Sequence, residues 1–323
     1  MKLFNLIVLL IFLGSCTTDS NETKPPINIA IETSWIGYIH VVIAQEKGFF
    51  AQHKVNVKLL TAKDGLDTAE LYKTRQADGL LNVFPDSIML NAEGYPTQVV
   101  MVIDSSFSAD GIVSKPEIKT PQDLAGKTVA FEELNSFSHL FVMKLLEKGG
   151  LEEGQFKART IVASEALEAL GQGQVDAAYT YEPTLSQALK AGYHLLAKAG
   201  DMPGMITDVL AFHGTTIQQR PDDIKNIVAA ILDARNYMQQ HPKESLEIFA
   251  QFNQATAEEF ETGFDGLHYP GLEENYLALQ SDGLLFTSGQ DIIDFYMAKG
   301  QIIQLPDLNT VVNKQFIQDL SKK

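Results

Sequence analysis

The chain has 323 residues, with 25 Lys and Arg against 41 Asp and Glu, a formal net charge of −16. That excess, with no Lys/Arg cluster anywhere, excludes a nucleic-acid partner and disfavours an anionic lipid surface. The only cysteine is Cys16, so neither an internal disulfide nor a thiolate metal site is available.

The chain opens with Lys2, a short apolar run and small residues before Cys16, the build of a secretory signal peptide. The apolar run is shorter than the roughly 20 residues of a permanent membrane span. Leu13-Gly14-Ser15-Cys16 resembles a bacterial lipobox, which implies cleavage after residue 15 and a lipidated Cys16. The plainer alternative is an ordinary signal peptide with an incidental cysteine. Residues 17–26, TTDSNETKPP, are polar and end in two prolines, an extended leash without a core of its own. About 300 residues remain, enough for one large core or two domains.

INIAIE, from Ile27, is a short strand pattern. It feeds the polar and aromatic loop ETSWIGY and then the amphipathic helix IHVVIAQEKGFF, which Gly48 suits as a C-terminal cap. A strand–loop–helix unit puts its loop at the carboxyl edge of a sheet, where open α/β folds bind ligands. Trp35, the one tryptophan, stands in that loop beside Gly37 and Tyr38. Ser34 either caps the helix or faces a ligand, and packing alone would also account for the aromatics.

The alternation continues. VNVKLL, ADGLLNVF, TQVVMVI and GIVS have strand patterns, GLDTAELYKTRQ is helical, and Asp86 is placed to cap SIMLNAEG. From about Lys115 the rhythm repeats in GKTVAFE, FKARTIVA and VDAAYTY, with helices starting near Asn135, Ser164 and Glu182. After the strand Asp208–His213 the chain is mainly helical. Such a pattern predicts an α/β fold with mostly parallel strands and late helices packed onto a sheet already made.

SWIGY with GFF ten residues on, DLAGKTVAFEE followed by NSFSH, VDAAYTYEP and PGMITDVL resemble, in order and spacing, the substrate-binding proteins of bacterial ABC importers. The resemblance is to the nitrate, sulfonate and taurine type, which is related to thiamine-pyrimidine synthesis proteins, and covers nearly all of the chain after the leash. It implies a type II periplasmic-binding-protein fold of two α/β lobes joined by two hinge crossings. Lobe one would be residues 27–107 with 208–323, and lobe two residues 108–207. It further implies a small-molecule ligand in the cleft, a permease and ATPase as membrane partners, a monomer, an extracytoplasmic location and no cofactor.

The cleft candidates are the loops after strands. In lobe one they are Ser34, Trp35, Gly37, Tyr38 and Asp86; at the hinge, Ser106, Asp110 and Asp208; in lobe two, Glu132, Asn135, Ser136, Ser138, His139, Tyr181 and Glu182. The resemblance favours Trp35, Tyr38, Ser136 and Glu182 most. Asp86 and Ser136 are equally suited to helix capping, Glu182 to a helix dipole, and His139 to packing. The set holds several carboxylates and no Lys or Arg, which favours a neutral or cationic ligand over an oxyanion, such as an amine or a pyrimidine stacked on Trp35 and Tyr38.

Two other classes stand beside import. One is a ligand-sensing lipoprotein that reports to a membrane receptor. The other is an enzyme, because thiamine-pyrimidine synthesis proteins of this fold use a cysteine-rich iron-binding stretch. Cys16 alone cannot supply it, and neither HExxH, GxSxG nor a phosphate-binding Gly-rich loop occurs.

Overall fold

A computed structural model describes residues 24–302 and 304–322. Cys16 and the signal peptide lie outside the described residues. The last residues of the leash lie on the body: Lys24 pairs with Asp223 at 3.3 Å, and Arg220 donates to the Pro25 carbonyl at 2.8 Å.

Eleven strands occur among the described residues. They are β1 (Ile27–Glu32), β2 (Val57–Ala62), β3 (Gly79–Val83), β4 (Thr97–Ser106), β5 (Asp110–Ser114), β6 (Thr128–Phe131), β7 (Lys157–Thr160), β8 (Ala177–Tyr181), β9 (His194–Lys198), β10 (Thr207–His213) and β11 (Leu267–His268). They form two sheets, ordered β11-β4-β10-β3-β1-β2 and β7-β6-β8-β5-β9. Central strands β3, β5, β8 and β10 are buried along their whole length. Strands covered on both faces read as continuous apolar runs rather than as alternation, which is why they were visible in the sequence.

The sheets are mixed rather than mostly parallel. Strand β10 runs against both β3 and β4, and β5 runs against both β8 and β9. These are the first strands after each crossing. A chain leaving one sheet at its carboxyl edge meets the carboxyl edge of the other, so its next strand has to run backwards. The crossings fall between Ser106 and Asp110 and just before Thr207.

The late helices pack on the first sheet and its helices. Helices Pro221–Gln240 and Pro242–Phe252 cover Ile39–Glu46, Leu284–Ala298 lies on Phe84–Ala92, and Gln315–Ser321 lies on β4. Gly48 adopts a left-handed φ of 73° after the helix Ile39–Glu46, the conformation a glycine C-terminal cap supplies without strain. The helix after β3 begins at Phe84 with Pro85 in its first turn, so Asp86 lies inside it instead of capping it.

The two carboxyl edges face each other and touch. Tyr181 of the second lobe donates to Glu32 at 2.7 Å, and the Phe137 backbone N–H donates to Asp86 at 2.9 Å. Tyr296, on a late helix, donates to the Ser136 carbonyl at 2.9 Å. The Trp35 and Tyr181 rings meet edge to face, 5.4 Å apart. The lobes are closed on one another.

Candidate functional site

Between the two edges lies a cavity of about 330 Å³, at the small end of ligand pockets. Nine of the sequence candidates line it: Trp35, Tyr38, Asp86, Asp110 and Glu132, together with Asn135, Ser136, Tyr181 and Asp208.

A repeated device holds the buried carboxylates. Four aromatic side chains each donate their polar hydrogen to one acid. Trp35 Nε1 donates to Asp104 at 3.3 Å, Tyr38 to Asp208, Tyr179 to Asp110, and Tyr181 to Glu32. Ser34 adds a second bond to Glu32 at 2.8 Å. Each bond fixes one carboxylate oxygen and leaves the acid anchored to a rigid ring. Oδ1 of Asp104 and Oδ2 of Asp110 are buried without a partner, as is Nδ2 of Asn82, which also lines the cavity. A buried acceptor left unmet costs its full desolvation.

The electrostatics are one-sided. Among the described residues Lys73 is the only basic one in the lining, and its ammonium is 2.7 Å from Glu93. Burial therefore pushes the acids upward. Asp110 rises to about 6, Asp86 to about 7, and Glu132 and Asp208 to about 8. Asp104, which stands behind Trp35, is raised further by burial and by the charges of Asp208 and Asp110. Burial raises Glu32 as well, and it holds Tyr38, Tyr179 and Tyr181 well above 10, so these phenols remain neutral donors.

Six candidates do not line the cavity. Ser34 bonds Glu32 instead of capping a helix. Gly37 is where the loop passes closest to the acids: a β-carbon there would collide with the Asp104 carboxylate and the Trp35 indole nitrogen. Ser106 ends β4 with its hydroxyl buried beside the Asp110 carboxylate, too far for a close hydrogen bond, and helps hold that acid's titration down. Ser138 accepts the Glu132 N–H at 3.0 Å and so positions that loop. His139 is a packed residue, its ring against Phe131 at 4.6 Å and Nδ1 accepting from the Asn135 N–H. Glu182 accepts from the Ser186 N–H and hydroxyl at 3.1 and 2.8 Å, at the start of its own helix.

Sequence reasoning missed Glu32, Asp104, Tyr179 and Lys73. Three had a signal. Glu32 closes the β1 run at the carboxyl edge, Asp104 interrupts the apolar run of β4, and Tyr179 is two residues before Tyr181 and shares its face. Lys73, in the last turn of a helix, had none. Among the described residues no three His, Cys, Asp or Glu side chains converge as ligands of one metal ion would.

Two α/β lobes, two crossings and a cleft at the facing carboxyl edges define the type II periplasmic-binding-protein fold. The fold is shared with the ligand-binding component of an ABC-type import system from Staphylococcus aureus, solved with zinc bound. That match has a TM-score of 0.76 at 14% identity and covers 93% of this chain and 100% of that one. The periplasmic aliphatic sulphonate binding protein of Escherichia coli matches with a TM-score of 0.73 at 18% identity, covering 91% and 99%. A putative binding protein of Brucella abortus is 22% identical over 242 residues, 73% of this chain and 74% of its relative. The chain belongs to the NMT1/THI5-like family, whose profile spans residues 35–245.

Proposed function

We propose that this protein is the solute-binding lipoprotein of an ABC importer and that its cleft takes a small organic cation, an amine or a protonated ring nitrogen. The observation that carries the reading is Asp110: its carboxylate is buried in the cavity, tied by one oxygen to Tyr179, and its other oxygen makes no close hydrogen bond, with the Ser106 hydroxyl as its neighbouring protein donor. A cation meets that oxygen with a charge-assisted bond. A sulfonate or nitrate would instead meet Glu32, Asp86, Asp110, Glu132 and Asp208 with no free basic group in the lining.

Residues 27–107 with 208–323 form one moving body in this reading, and 108–207 the other. Each contributes carboxylates, so closure without a ligand makes these acids take up protons, Asp86 rising to about 7 and Glu132 and Asp208 to about 8. A bound cation favours their ionised forms instead and shifts the population toward the closed form. The lipidated Cys16 holds the monomer outside the cytoplasmic membrane beside its permease and ATPase. Changing Cys16 to Ser is expected to release the protein to the soluble fraction. Retention in the membrane would overturn the lipobox reading.

Trp35 is the only tryptophan and touches the cavity, so its fluorescence reports binding directly. Titration with an aminopyrimidine, a polyamine, taurine, an alkanesulfonate and nitrate is expected to give saturable changes with the first two. Saturation with nitrate or the alkanesulfonate alone would overturn the cation reading, and turnover of any bound compound would overturn binding as the function.

A further inference from the structure

Charge alone does not orient a ligand in this cavity. The carboxylates act as one group, since the charge of Glu32 bears on Asp110, Glu132 and Asp208 alike. A cation is attracted to that group as a whole, so its orientation has to come from a hydrogen bond of fixed direction. The aromatic donors are spent: Trp35, Tyr38, Tyr179 and Tyr181 each give their polar hydrogen to a carboxylate. The Ser136 hydroxyl donates to the Glu133 carbonyl at 2.8 Å.

Asn82 is different. It is the last residue but one of β3, lines the cavity and is only 9% exposed. Its Oδ1 accepts from the Ser87 hydroxyl at 2.8 Å. Ser87 is fully buried in the helix Phe84–Ala92 and does not line the cavity. The amide is planar, so tying its oxygen to Ser87 turns Nδ2 the other way. Nδ2 is buried and has no hydrogen-bond partner. Among the described residues no other buried lining side chain keeps an amide, phenol or indole hydrogen unspent. A buried donor left unmet carries its whole desolvation cost, and an acceptor on a ligand removes that cost.

We infer that Asn82 sets the specificity of the cleft by donating from Nδ2 to a neutral acceptor on the ligand, a ring nitrogen or an ether, hydroxyl or carbonyl oxygen, so that the ligand is a cation carrying such an acceptor rather than a plain alkylammonium. This deepens the cation reading and rests on it. Ser87 is the positioning residue: it holds the amide from outside the cavity. A cation without an acceptor still meets the acids, yet it leaves Nδ2 unmet and forfeits one neutral hydrogen bond.

Calorimetric titration of the purified protein at pH 8 with benzylamine and the isomeric (aminomethyl)pyridines tests the inference. These amines are equal in size, carry the same ammonium group, and differ in whether and where the ring has an acceptor nitrogen. With the wild type, at least one pyridine isomer is expected to bind about twofold to tenfold more tightly than benzylamine, the size of one neutral hydrogen bond. Asn82→Leu, similar in volume and without a donor, is expected to abolish that preference. Ser87→Ala keeps the donor but frees the amide, and is expected to reduce the preference partway. Each preference compares two ligands on the same variant, so a general loss of affinity does not imitate the effect. Should Asn82→Leu fail to fold, Ser87→Ala decides. Equal affinities in the wild type, or an undiminished preference in either variant, overturn the role of Asn82 and leave the cation reading standing. Failure of all these amines to bind overturns the inference, and binding of an alkanesulfonate in their place overturns the cation reading as well.

Discussion

At the residue scale the site rests on four aromatic–acid pairs, and the loop of Trp35 shows how tightly they are set. Because a β-carbon at Gly37 would overlap both Asp104 and Trp35, Gly37→Ala is expected to lower the denaturant midpoint and weaken ligand binding together. A variant with both properties unchanged would show that the Trp35–Asp104 contact is dispensable. Trp35→Ala is expected to cost about 1–3 kcal/mol of binding, typical of a lost buried aromatic contact, measured by calorimetry because the fluorescent reporter is gone. Trp35 and Tyr38 were legible as cavity residues because they stand in the loop after β1, at the carboxyl edge of its sheet, although both are also packed in the core. Glu182 looked equally good, yet its carboxylate is used up on Ser186. Sequence position cannot tell an acid that faces a cleft from one that turns back on its own helix.

At the element scale the strand–helix rhythm was readable because the central strands are buried on both faces. The reversed β5 and β10 were not, since strand direction is set by which edge the chain enters, a property of the crossing and not of local residues. Asp86 illustrates the same limit. It sits where a cap is expected, but the N–H it accepts belongs to Phe137 in the other lobe. Tyr296 makes a third hydrogen bond across the lobes, to the Ser136 carbonyl, and does not line the cavity. If that bond exists only in the closed form, Tyr296→Phe weakens ligand affinity by about the 0.5–1.5 kcal/mol of a hydrogen bond without touching the ligand. Faster dissociation in stopped-flow fluorescence is the expected sign. An unchanged affinity would place the bond in the open form as well.

At the scale of the whole molecule, the carboxylates tie stability to pH. Asp86, Asp110, Glu132 and Asp208 titrate at about 7, 6, 8 and 8 when folded, above the roughly 4 of an unfolded chain. The folded state therefore binds more protons than the unfolded state between those limits. Its stabilisation is complete below about pH 4 for these groups and is lost as pH rises toward 8. The melting temperature of the ligand-free protein is expected to fall over that window from this contribution, and a saturating amine is expected to flatten the fall by pairing the ionised forms. A ligand-free melting temperature that climbs steadily from pH 5 to pH 8 would contradict the burial of these acids. The overall architecture was legible from motif order, because the two crossings separate recognisable blocks. The one-sided charge of the cleft was legible only in part, since Glu32 and Asp104 are hidden in apolar strands.

The central claim is that a cation holds two acidic lobe edges together. Small-angle scattering at pH 8 tests it most directly, on the ligand-free protein and with a saturating amine or an alkanesulfonate of equal carbon count. The account predicts a smaller radius of gyration with the amine and no change with the alkanesulfonate. Compaction by the sulfonate, with none by any amine, would contradict it.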